Sequence, residues 1–334
     1  MLPDEWRPCQ EGMVPSRFPQ HPVPFMNVVT AIAIKMISVM LFAVMSTLVR
    51  YLGDAVPVGQ VVFFRSAFAI VPVVVIYAWR RELAAAVRTG RPLGHVTRGL
   101  ISVVGMFLNF AALARLQLVD ATAIGFASPL ITVALAALIL KEHVRAYRWT
   151  AVAVGFTGVI VMMWPYLDVG RLFAAGSPEG TVGALCAITA AFTNAGTVIQ
   201  TRRLTDSETT SSIVLYFSLI CTIAGACTLP FAWHQPTLPE LAALIAIGLL
   251  GGLSHIFLTA SYRYAAASVV APFDYTAMLW AFLLGYTFFD ELPNIYIFVG
   301  SAVVCAAGLF VIWRERQLGL ERVRTVLGGT PIGK

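Results

Sequence analysis

Apolar residues in this chain do not alternate with polar ones. They come in long runs. From about residue 28, stretches almost free of charge follow one another, separated by short segments rich in Arg, Lys, Gly and Pro, at about 28–50, 58–79, 99–115, 118–140, 149–164, 180–201, 212–233, 240–262, 265–289 and 294–313. Residues 121–140, 180–201 and 292–313 hold no charged residue at all. A helix needs about 20 apolar residues to cross a bilayer, whereas a barrel strand needs about 10 in strict alternation. Runs this long, without period-two patterning, predict helices, which satisfy every backbone hydrogen bond within one segment. The expected fold is an all-α integral membrane protein with ten transmembrane helices.

Composition narrows the class. The 334 residues are 58% hydrophobic and 12% charged, with mean hydropathy +0.80, against about 25% charged in a soluble domain. So few charges cannot cover a water-facing surface, which excludes a soluble enzyme and a disordered chain. Ten helices use ~200 residues, leaving loops and tails but no second folded domain of ordinary size. The net charge of +6 does not indicate nucleic acid, because the basic residues cluster between apolar runs. Of Cys9, Cys186, Cys221, Cys227 and Cys305, four lie in apolar stretches without CxxC or Cys/His spacing, so neither disulfide nor metal is expected. No phosphate-binding loop, nucleophile elbow or zinc-protease motif occurs, and no cofactor is expected.

Orientation follows from the basic residues of the connections. With the N-terminus inside, the inner loops carry 11 (Arg80, Arg81, Arg88, Arg91, Arg98, Lys141, Arg145, Arg148, Arg202, Arg203, Arg263) and the outer loops 3 (Arg50, Arg115, Arg171). Both termini are therefore expected in the cytoplasm of a bacterium, with the chain in its inner membrane. Residues 1–27, with six prolines, read as a disordered tail in which Met26 is an alternative start. Residues 314–334 read as a basic cytoplasmic tail.

The chain repeats itself approximately. Glu142 and Glu291 each follow a helix end, Trp164 and Trp313 each close the next helix, and both pairs are 149 residues apart. That offset spans five helices, an odd number, so the second copy is inverted relative to the first. The halves are expected at 28–164 and 180–313, joined by an outer linker at 165–179. Inverted repeats place a binding site near the midplane where the halves meet.

Three stretches carry a family likeness: Val62-Phe63-Phe64-Arg65-Ser66; the helix Ala123-Ile124-Gly125-Phe126-Ala127-Ser128-Pro129-Leu130 running to Glu142; and Ala271-Pro272-Phe273-Asp274-Tyr275-Thr276 running to Glu291. Over about residues 30–315 the chain resembles the paired EamA domains of the drug/metabolite transporter superfamily. The resemblance implies two inverted five-helix halves around a central cavity and a small organic cargo. Relatives carry amino acids, riboflavin, S-adenosylmethionine or sugars, so it implies no particular one. The second copy lacks a counterpart of Pro129, and its helix is expected to bend at Pro272.

Asp274 is the most informative candidate. It lies about 15 Å along its helix, where a carboxylate costs ~2.5–3.5 kcal/mol on insertion scales. It is expected either to bind cargo or a proton, or to cap a helix restarted at 275–289 or serve as a silent salt-bridge partner. Arg65, seven residues into the second run, either holds an acidic group of the cargo or is a structural ion-pair partner or a side chain that snorkels outward. Lys35 reads as marking the inner edge of the first helix. Asn109 and Asn194 are polar groups within spans, suited equally to cargo or to helix-to-helix hydrogen bonds, and His255 is either a proton site or a neutral ring bonded to a backbone carbonyl. Phe107 and Phe110 flank Asn109 and, with Phe126, Tyr262, Tyr275 and Trp280, are candidates to stack on a flat cargo. Ser128-Pro129 is expected to mark a kink, and the Gly248–Gly252 and Gly155–Gly158 runs close helix packing.

The expected function is a secondary transporter moving a small organic metabolite by alternating access without ATP, with a lean toward a heteroaromatic vitamin such as riboflavin or an amino-acid-like compound. An efflux carrier of the same fold is the alternative. From other classes, an intramembrane enzyme using Asp274 and His255, or a non-transporting membrane partner or channel subunit, fits less well. The expected partners are a small molecule, the lipid bilayer and optionally a second copy of the chain, with no nucleic acid.

Overall fold

The computed structural model describes residues 25–53, 55–79, 87, 89–139, 146–166, 179–205, 207–208, 210–264 and 267–328. The tail at 1–24, residues 167–178 of the linker, Lys141 and Glu142, and residues 329–334 lie outside the described residues. The chain is helical almost throughout. Its elements are α1 (Phe25–Leu52), α2 (Val58–Trp79), α3 (Pro92–Arg115), α4 (Leu118–Gly125), α5 (Ala127–Ile139), α6 (Ala146–Met163), α7 (Glu179–Thr205), α8 (Thr210–Ala226), α9 (Leu229–Ala232), α10 (Leu238–Tyr264), α11 (Ala267–Val270), α12 (Thr276–Phe289) and α13 (Ile295–Gly328).

Nine segments among the described residues are long and apolar enough to cross a membrane, the fourth being α4 and α5 taken together, Leu118–Ile139. The remaining crossing, ninth in chain order, is built from α11, a 3-10 segment Ala271–Tyr275 and α12. Large apolar side chains such as Val75, Leu100, Ile160, Ile223 and Leu283 point outward, as lipid-facing surfaces require. Two ends differ from the sequence expectation. α3 starts at Pro92 rather than 99, with proline in the first turn, where its missing N–H costs nothing. α13 continues well past 313 to Gly328, because the Arg, Glu, Gln and Leu residues that follow are good helix formers.

The helix contacts obey the inverted repeat. The first span packs on the eighth and, equivalently, the sixth on the third; the second meets its counterpart the seventh, and the fifth meets the tenth. The close approaches rely on glycine. A Cβ on Gly300 would stand 2.5 Å from Gly158 O, and one on Gly158 would stand 2.7 Å from Gly300 O, where α6 and α13 touch. Gly248 and Gly252 seat Phe68 and Pro72 of α2 in the same manner, as the glycine runs predict.

Both fourth-position spans are broken. The ring of Pro129 conflicts with the carbonyl four residues back, at Gly125, and the helix stops there, restarting at Ala127. In the second half the break falls at Pro272, as expected, and the regular helix restarts at Thr276. The Asp274 side chain makes no capping bond, so the capping reading is corrected. Phe126 and Tyr275, 149 residues apart, lie one on each break with rings stacked at 5.1 Å.

Two glutamates tie the halves together at opposite ends of the bundle. At one end, Glu208, after α7, takes the amides of Gly90 at 2.9 Å and Arg91 at 2.8 Å and the Thr89 hydroxyl at 3.0 Å, ahead of α3. Nε2 of His95 stands 3.5 Å from its other oxygen. At the other end, Glu291 accepts Arg50 Nε at 3.1 Å and the Leu118 amide at 2.8 Å. Asp290 takes the left-handed conformation at φ 54°, and the Glu291 amide closes on Gly285 O at 3.1 Å. This helix-ending turn directs Glu291 back across the bundle.

Two outcomes are expected. Gly300→Val drives a branched side chain into the Gly158 carbonyl and should destabilise the chain by ~1–3 kcal/mol, read as a fall in thermal midpoint in detergent. Burial pushes the Glu208 carboxyl up, but Thr89, the two amides and His95 outweigh it and hold it below its ordinary 4.5. The latch is therefore at full strength above about pH 4.5 and is lost as pH falls through the lowered folded value. Hydrogen exchange at the Gly90 and Arg91 amides, corrected for intrinsic rate, should accelerate on acidification in the wild type and be fast at neutral pH in Glu208→Gln.

Candidate functional site

A cavity of about 380 Å³ opens within the bundle between α1, α2, α3, α7, α8 and α10, within the size range of small-molecule sites. Arg65 and Arg98 enter it from α2 and α3. Arg65 is 5% exposed and lies 3.1 Å, through Nη2, from Nε2 of His255 on α10. That contact makes the arginine the donor and the imidazole nitrogen the acceptor, hence a neutral ring. Arg98 donates through Nε to Thr201 Oγ1 at 2.6 Å. Both guanidiniums stand over the Phe217 ring of α8, Arg65 at 5.7 Å and Arg98 at 5.1 Å from its centroid, a cation–π arrangement. Asn109, Asn194, Ser102, Thr197 and Ser218 supply polar atoms, Phe42 and Phe110 supply apolar surface, and none of the described lining residues is acidic. Two guanidiniums with no carboxylate among the described lining residues leave net positive charge facing this hollow.

A second cavity of about 390 Å³ shares Phe42 and Ser46 with the first and extends to the two broken spans, lined by Thr122, Gly125, Phe126, Ser128, Pro129 and Asp274. The ammonium of Lys35 meets Asp274 Oδ1 at 2.6 Å; the lysine side chain is 1% exposed, the aspartate 49%. The carboxylate thus faces open volume while the lysine stands behind it.

The structure brings Arg65, Asn109, Phe110, Asn194 and His255 together in the first cavity and puts Asp274 on the second. Tyr275 stacks on Phe126 behind Asp274. Phe107 packs against the core cluster, and Trp280 of α12 lines neither cavity. Sequence reasoning missed Arg98 and Phe217, and its placing of Lys35 at the inner edge of the first helix is corrected, since the side chain is buried against Asp274. Arg98 reads as a loop charge only while α3 is started at 99; Pro92, a residue suited to the first turn, signals the earlier start. Lys35 carries its own signal, a charge inside an apolar run, for which Asp274 is the natural partner.

At the Glu291 end a third cavity of about 560 Å³ is bounded by Arg50, Arg115, Asp120 and Tyr166, and the Tyr166 hydroxyl donates to Asp120. Arg50 also donates to Ala114 O at 2.6 Å, so Glu291 and Arg50 together bridge α1, the α3–α4 junction and the turn after α12. Glu291→Gln removes the charge from this bridge. A cysteine placed at Gln117, in a chain freed of other cysteines, should then react several-fold faster with a water-soluble maleimide.

Ten crossings in two inverted halves around a polar hollow define a membrane carrier rather than an enzyme. The sequence profile of the EamA-like transporter family matches residues 29–164 and 181–314, and the chain belongs to that family. It is 29% identical over 271 residues to the S-adenosylmethionine uptake transporter of Rickettsia prowazekii (strain Madrid E), covering 80% of this chain and 87% of that one. It is 32% identical over 234 residues to the riboflavin transporter of Rhizobium johnstonii, covering 70% and 74%. The pseudopaline exporter of Pseudomonas aeruginosa (strain PAO1) is 29% identical over 272 residues, covering 80% and 90%. A solved structure matches with TM-score 0.58 at 19% identity, covering 84% of this chain and 95% of that one, a likeness of fold alone. The protein is a multi-pass membrane transporter of small molecules.

Proposed function

We propose that the protein is a secondary carrier in the inner membrane of a bacterium that moves a small organic metabolite bearing an acidic group. The observation that carries this reading is the cavity, free of acids among its described lining residues, in which Arg65 and Arg98 both stand over the Phe217 ring. A carboxylate or phosphate can accept from guanidinium N–H groups there, while Asn109 and Asn194 bond the polar periphery and Phe42 and Phe110 contact a flat ring. This favours an amino-acid-like or heteroaromatic cargo. Relatives named for S-adenosylmethionine and riboflavin support the class.

Transport follows from the two halves rocking about the shared hollow, with the Glu208 and Glu291 bridges holding opposite ends. Both termini face the cytoplasm in this reading, on the count of basic residues, so the Glu208 end is the inner one. Energy comes from gradients, and the direction of net movement follows them. Relatives named for uptake and for export share the fold, and efflux is the second reading.

Proteoliposomes containing the chain should exchange labelled S-adenosylmethionine, which bears a carboxylate, against internal unlabelled compound without ATP. Arg65→Met removes hydrogen bonds to a charged group, worth ~1.5–3 kcal/mol, and should lower exchange about 10- to 100-fold at subsaturating cargo. No exchange across a broad panel of acidic metabolites, or undiminished exchange in the variant, overturns the reading.

A further inference from the structure

The Lys35–Asp274 pair is unlike an ordinary structural ion pair in how its two partners are buried. The lysine ammonium is sealed at 1% exposure, while the aspartate presents half its surface to the second cavity. The carboxylate sits on the 3-10 segment Ala271–Tyr275, at the break of its span, and makes no capping bond to the helix that follows. An acid in lipid-depth surroundings needs a cationic partner, and here the chain supplies one from behind while the front remains open.

The cavity in front adjoins the arginine cavity along α1. Phe42 and Ser46 of α1 line both, so one molecule lying along α1 touches each. The two adjoining cavities are therefore oppositely polarised, with two guanidiniums and no acid among the described lining residues of one and a carboxylate facing the other. Ser46, Thr122 and Ser128 provide hydroxyls around the acidic part, and the Phe126 ring provides a wall.

We propose that Asp274 is a cation subsite filled in this conformation by the ammonium of Lys35, and that the cargo carries a basic group that competes with Lys35 for it. The cargo is thus an elongated molecule with an acidic group at one end, on Arg65 and Arg98, and an ammonium or similar organic cation at the other. This rests on the carrier reading above for its biological sense, but the subsite stands on its own geometry. Lys35 is the internal stand-in for the cargo cation. Engagement of the cargo frees α1 from the break of the ninth crossing, which links binding to movement of one half against the other.

Chemical rescue tests the subsite without knowing the cargo. Lys35→Ala leaves Asp274 without its stand-in, and ethylammonium chloride at tens of millimolar should raise the thermal midpoint of that variant by a few degrees over sodium chloride at equal ionic strength. The Lys35→Ala/Asp274→Asn double variant should show no such difference, and the wild type a smaller one. Lys35→Met keeps the apolar stem and replaces the alanine variant if that one does not fold. On the wild type itself, infrared difference spectra on adding ethylammonium should show a carboxylate band shift that Asp274→Asn lacks. Equal responses to ethylammonium and sodium in the lysine variant, an equal rise in the double variant, or no band difference between wild type and Asp274→Asn would each overturn the subsite. Flux is not among these readouts, so failure of the subsite is distinguishable from failure of the carrier reading.

Discussion

Water does not reach the hydrocarbon core of a bilayer, so every backbone N–H and C=O of a crossing segment must find its partner within the protein. From that constraint come the long helices, the apolar outer faces and the inward placement of the charged groups. Lys35, Arg65, Arg98 and Asp274 are tolerable only because each points at another part of the chain: Asp274 for Lys35, His255 and Phe217 for Arg65, Thr201 and Phe217 for Arg98. Satisfying the ions and making a binding hollow are one physical solution.

The same constraint explains where the backbone departs from regular helix. Breaks at Phe126 and at Ala271–Tyr275 leave peptide groups outside the helical pattern, and both fall beside the cavity rather than toward lipid. Irregular backbone at membrane depth is tolerated where it is enclosed by protein or borders a polar cavity. Proline supplies the local cause, at Pro129 in one half and Pro272 in the other. The acid and the two facing rings then lie on the broken stretches, where side chains leave the axis in directions a continuous helix does not offer.

How much of this was legible beforehand depended on the range of the interaction. The ten crossings and the repeat at 149 residues follow from hydropathy and spacing, which are local properties of the chain. Asp274 and Arg65 stood out because a charge in an apolar run is itself a signal. Their partners were another matter. Lys35 lies 239 residues from Asp274 and Phe217 lies 152 from Arg65, and nothing in either stretch states which face will meet which. The capping reading of Asp274 rested on the nearest backbone amides, and the salt-bridge alternative beside it could name no partner; the folded bundle supplies that partner in Lys35.

The stacked rings of Phe126 and Tyr275 join the two halves at equivalent positions, so their contact lies close to the pseudo-two-fold axis. Points on such an axis are displaced least when the halves trade shapes, while the glutamates at the extremities travel farthest. The aromatic pair is thus the fulcrum of the proposed carrier, and the long helices on either side are its levers. A slight tilt at this hinge is magnified into a wide gap at one rim and a closed one at the other, which lets a barely altered centre serve two compartments in turn.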